Sequence, residues 1–100
     1  MSDKINITRG IFERLISSGA TIGNEYPIEF AFAGDWARLS KLETFLEKKG
    51  YRRDRSQTDQ MLIMVGSFQL KLDSLLSLIE EMTQLANEFG VTYDGWSIAP

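Results

Sequence analysis

The run Met61-Leu62-Ile63-Met64-Val65 sets the tightest limit on what this chain can become. Five successive apolar residues follow neither the period of an amphipathic helix nor that of a half-solvated strand. They would fill both faces of a strand, and such a strand belongs inside a sheet with cover on each side. QMLIMVGSF, 60–68, is therefore expected to be a central strand, around which the other elements must arrange themselves.

A second strand is written as alternation. In YPIEFAF, 26–32, Tyr26, Ile28, Phe30 and Phe32 alternate with Glu29 and Ala31, and Pro27 stands near the start, where a missing N–H is tolerated. Two amphipathic helices are equally plain. Trp36, Leu39, Leu42, Phe45 and Leu46 form the stripe of a helix that Asp35 can cap and that runs to about Lys49 before Gly50. Leu72, Leu75, Leu76, Ile79, Met82, Leu85, Ala86 and Phe89 form the stripe of another, over 72–89, with Asp73 in its first turn and Gly90 at its end. YRRDR, 51–55, reads as a short charged strand followed by a turn at SQTD, and Val91, Tyr93, Trp96 and Ile98 belong to a last strand. At the other end, Ile5, Phe12, Leu15 and Ile16 share a face of a helix over 4–18, widened by Ile7 and Ile11 and stopped at Gly19.

From residue 26 onward the order is strand, helix, strand, twice over. That is the split βαβ arrangement of a ferredoxin-like sandwich: an α+β fold, βαββαβ, with a four-stranded antiparallel sheet and an extra N-terminal helix. One domain over 1–100 is expected, with the helix at 4–18 and the core at 26–98. The expected strand order, 4-1-3-2, puts 26–32 and 60–68 in the middle and the charged strand at an edge, where charge discourages sheet-to-sheet aggregation. Two helices cover one face of such a sheet. The other face should not be left in water, since burying it stabilises by about 25 cal/mol per Å² of apolar area. Helix 4–18 or a partner chain could cover it, and the helix is the expected cover.

The side-chain inventory narrows the chemistry. The 100 residues contain no Cys and no His, which removes disulfides, thiol nucleophiles, zinc-thiolate sites and the commonest general base. No segment approaches the ~20 apolar residues of a membrane span, and MSDKINITRG lacks the apolar region of a secretory signal, so a cytoplasmic location is expected. No nucleophile elbow, phosphate loop, metalloprotease helix or calcium loop appears. The adjacent Glu80 and Glu81 point in different directions on a helix and cannot act as an acid–base pair. No catalytic residue, cofactor or metal is therefore expected, and the chain reads as a protein that is not an enzyme.

Nucleic acid is disfavoured as a partner. Phe30 and Phe32 should face the helices, the strand MLIMV offers no aromatic for base stacking, and the net charge is −3. A basic cluster of Lys48, Lys49, Arg52, Arg53 and Arg55 could still serve an acidic segment or a phosphate backbone, which makes a direct RNA-binding domain the alternative reading. Helix ends and edge strands attract such charges in any case. Trp36 opens a core stripe. Asp94-Gly95 would ordinarily signal a hairpin, but no second strand follows, so it is read as a bulge or kink that ends the pairing and aims Trp96, towards the core in preference to a partner.

The tail LANEFGVTYDGW, with LIEEMTQ before it, resembles the ribonuclease E inhibitor family, of the regulator of ribonuclease activity B type. LISSG at 15–19, YPIEFAF and the helix ending KKGY at 48–51 fall where that family has them, and the likeness spans roughly residues 10–98. Members of the well-studied type carry a long acidic extension after the Trp; here four residues follow Trp96. The resemblance implies the same sandwich fold and a regulator that binds the ribonuclease E endoribonuclease and reduces RNA processing without turnover. It marks Tyr93, Asp94, Gly95 and Trp96 as a family signature and a possible partner-binding segment. A stand-alone interaction module with an unrelated partner is the other reading a protein–protein role allows.

Overall fold

The computed structural model describes residues 2–54 and 61–98, with side chains from residue 9 onward. In chain order the elements are α1 (Ser2–Ser17), β1 (Glu25–Ala33), α2 (Trp36–Lys48), β2 (Arg52–Arg53), β3 (Met61–Gln69), α3 (Leu72–Phe89) and β4 (Thr92–Ile98). The four strands form one sheet, in the order β2-β3-β1-β4, with every pair antiparallel. This is the expected ferredoxin-like sandwich, with the expected order and central strands.

All three helices stop in the same way. At Gly19, Gly50 and Gly90 the backbone turns to positive φ, at 109°, 100° and 72°. The amide of the next residue then bonds a carbonyl five residues back: Ala20 to Leu15, Tyr51 to Leu46 and Val91 to Ala86. That is the Schellman closure, which usually joins an apolar residue after the stop to the helix's last turn. Here Ala20 and Val91 are buried and Tyr51 packs against the core. Asp35 occupies the cap position of α2, but its side chain makes no cap hydrogen bond; its carbonyl accepts from the amides of Arg38 and Leu39.

The core lies between the sheet and the helices. Ile28, Phe30 and Phe32 of β1 face it with Leu62 and Met64 of β3, all essentially inaccessible, against Leu39, Leu42 and Leu46 of α2 and Leu75 and Met82 of α3. Phe30 meets Tyr51 and Phe68 edge-on, with ring centroids 6.2 and 6.4 Å away. Gly66 makes room for this group, because a Cβ there would lie 2.6 Å from the Phe68 ring and 3.0 Å from that of Tyr51.

Two expectations are corrected. Helix α1 does not cover the second sheet face. It packs beside α3, and its Phe12 enters the same core as the other helices. A helix seeks the nearest apolar surface, and α3 with the loop around Ala20 supplies one on the helix side. The charged strand is also shorter than 51–55. Tyr51 is taken up by the stop of α2, and among the described residues the strand is confined to Arg52–Arg53, followed by the Asp54 amide on the Ile63 carbonyl. Arg55, the turn SQTD at 56–59 and Gln60 lie outside the described residues.

Phe30 is fully buried and meets the rings of both Tyr51 and Phe68. Phe30→Ala is expected to lower stability by about 3–5 kcal/mol, as for other buried phenylalanines, read as a lower urea midpoint with an unchanged slope.

Candidate functional site

Strand β4 is where the chain departs from regular geometry. Phe30 pairs with Trp96 and Ala31 with Gly95, but the next β1 residue, Phe32, pairs with Tyr93. Asp94 is the extra residue, left without a partner on β1. Regular alternation would put Tyr93 and Trp96 on opposite faces. The bulge puts both on the helix side, as the Asp-Gly pair led us to expect, but it does not end the pairing, which continues through Ile98. Tyr93 meets Phe32 with centroids 5.6 Å apart, and burial pushes its hydroxyl pKa up. Trp96 and Ile98 are half-buried against the core.

Gly95 makes the bulge possible. Its φ is +132°, a torsion that side-chain-bearing residues avoid, whereas the space around its missing Cβ is open. It faces outward, opposite Ala31, on the sheet face that none of the described elements covers. That face carries Ala31, Ala33, Met61 and Ile63, each half-buried, and the better-buried Val65. At its β4 end lies a shallow concavity of about 190 Å³ with a floor of Ala31, Ile63 and Gly95. Glu29, Asp94, Ser97 and Trp96 complete its wall. The Ser97 hydroxyl donates to Glu29 Oε2 at 3.2 Å and so orients that carboxylate.

Three of the four signature residues, Asp94, Gly95 and Trp96, thus line one depression, although the side chain of Trp96, like that of Tyr93, turns to the helix side. Sequence reasoning missed Glu29, Ala31, Ile63 and Ser97 as site residues. Their outward parity was readable, but a helix was expected to lie over them.

Among the described residues, Lys48, Lys49, Arg52 and Arg53 are spread over both sides of the sheet. Arg53 turns to the helix layer, where Nη1 donates to Glu43 Oε1 at 3.2 Å and the guanidinium lies 4.8 Å from the Trp36 ring centre. Lys49 Nζ sits 3.7 Å from Glu81 Oε1 and 5.0 Å from the Phe45 ring centre. Lys48 is exposed in the last turn of α2, and Arg52, opposite Val65, is exposed on the uncovered sheet face. Arg53 and Lys49 therefore serve first as struts between neighbouring elements. Among the described residues no three acidic or other metal-ligating side chains come together, and no helix is long and apolar enough to cross a membrane.

Fold and site together define a small ferredoxin-like α+β protein with one helix-covered and one open sheet face. Comparison with known proteins narrows this class. The family model described as Regulator of ribonuclease activity B matches residues 5–98, and the chain belongs to that family. Among its relatives is a protein of that name from Xenorhabdus nematophila, 28% identical over 105 aligned residues, which cover 96% of this chain and 74% of the relative. Another of the same name, from Aeromonas salmonicida, is 28% identical over 100 residues, covering 89% of this chain and 85% of the relative.

Two measurements follow from this geometry. Gly95→Ala should lose about 1–3 kcal/mol in urea unfolding, from torsional strain alone. Gly10→Ala, inside α1 with nothing near its missing Cβ, should gain roughly 0.5–1 kcal/mol. The second concerns Tyr51, whose pKa is pushed up to about 12 by burial and then by Glu81. Its folded pKa lies above the ordinary value of 10.0, so its contribution is complete below pH 10 and disappears as pH rises to about 12. Stability should fall across that window, and Tyr51→Phe should make the fall shallower.

Proposed function

We propose that this protein is a non-catalytic regulator that binds an endoribonuclease of the ribonuclease E type in the cytoplasm and slows RNA processing. The observation that carries this reading is the family match over residues 5–98. The relatives' shared name describes regulation of ribonuclease activity, and regulation by binding needs a shaped surface rather than a reactive side chain. The open sheet face supports it, because an uncovered apolar face rimmed by polar groups is the usual mark of an interface. Glu29 and Asp94 on that face repel phosphate, which favours a protein over RNA as the direct target.

The expected outcome is that purified protein, at micromolar concentration, slows cleavage of an RNA substrate by the host's ribonuclease E several-fold and binds the enzyme stoichiometrically. Absence of both binding and slowing, in a protein shown to be folded, overturns the proposal.

A further inference from the structure

We infer that the open sheet face docks an extended segment of a protein partner, and that an arginine or lysine side chain of this segment enters the concavity between Glu29 and Asp94. Only the identity of the partner rests on the regulatory reading above. The depression exists because Ala31 and Gly95, side by side on β1 and β4, present a methyl and a hydrogen where their neighbours are larger. Its volume of about 190 Å³ suits one long side chain.

The chemistry of the walls selects the occupant. Glu29 and Asp94 are the charged groups that line it, and among the described residues neither takes part in an ion pair. Ile63 and Ala31 form an apolar floor. A basic side chain lays its methylenes on such a floor and carries its charge to the carboxylates, and a guanidinium matches them with paired hydrogen bonds. Ser97 has already fixed one acceptor by its hydrogen bond to Glu29, which lowers the ordering cost of binding. Arg52 stands two strands away from Glu29, in the row Arg52–Val65–Glu29. The two carboxylates that line the concavity lie at the β4 end of the face, and the partner's basic residue belongs there. Between the two ends, Met61, Ile63 and Val65 offer apolar surface for the rest of an extended segment.

The test compares the wild type with the double variant Glu29→Gln/Asp94→Asn, whose side chains keep their shape and lose their charge. Two probes are used: the host's ribonuclease E, and a synthetic peptide of alternating arginine and valine with its citrulline twin. The double variant should weaken binding of both probes about tenfold or more, and citrulline should do the same to the peptide. Arg52→Gln should change neither by more than about twofold. Amide shifts on adding the peptide should centre on Ala31, Ile63 and Gly95.

Peptide binding with the stated charge dependence, but no ribonuclease binding, upholds the docking surface and defeats the regulatory reading. Ribonuclease binding that ignores the double variant, with peptide shifts elsewhere, overturns the docking surface alone. A dimer of the free protein that dissociates on the same substitutions also overturns it, because the face would then be covered by a second copy. Thermal unfolding of the double variant checks that it is folded, and the citrulline arm needs no variant at all.

Discussion

The inward row of β1 holds this structure together. Ile28, Phe30 and Phe32 are buried almost completely, and each stands opposite a residue of β3 on one side and of β4 on the other. A strand has a period of two, so this row fixes the parity of both neighbours as well as its own. Slipping it by one residue would bring Glu29 and Ala31 into the core and turn three large side chains outward. The aromatic group of Phe30, Tyr51 and Phe68 then ties the strand to the end of α2, and Gly66 keeps the space in which the three rings meet.

That same parity creates the bare face. When the large residues of β1 turn towards the helices, the small ones turn away, and Ala31 and Ala33 leave a shallow surface. The bulge in β4 extends this asymmetry. It lets two aromatic residues, Tyr93 and Trp96, reach the helix side from positions three apart, and leaves Asp94 and Gly95 at the outer surface. One irregularity thus improves the core and shapes the exterior together.

Much of the fold was legible because its signals are local. The stripe of α3 and its Gly90 stop placed that helix at 72–89, its observed span, and the Gly19 and Gly50 stops were readable for the same reason. Alternation in YPIEFAF gave the facing of Phe30 and Phe32, and Asp94-Gly95 announced the bulge. The docking of α1 was not legible. An apolar stripe says that a helix will pack but not on which surface, and here the helix layer and the open sheet both offered one. The concavity inherited that gap, since its floor is a site only if nothing lies on it. The basic run was hard to read for another reason: proximity in sequence does not keep charges together when Arg52 and Arg53 are successive residues of a strand and point to opposite faces.

The backbone at Gly95 carries a further consequence. The room around its missing Cβ is free, so bulk does not restrict the position; handedness does. A residue of mirror-image configuration prefers positive φ as strongly as an ordinary one avoids it. D-alanine installed there by chemical synthesis would therefore escape the φ strain that L-alanine meets, and the irregular turn of the strand would be held by chirality where nature holds it by the lack of a side chain.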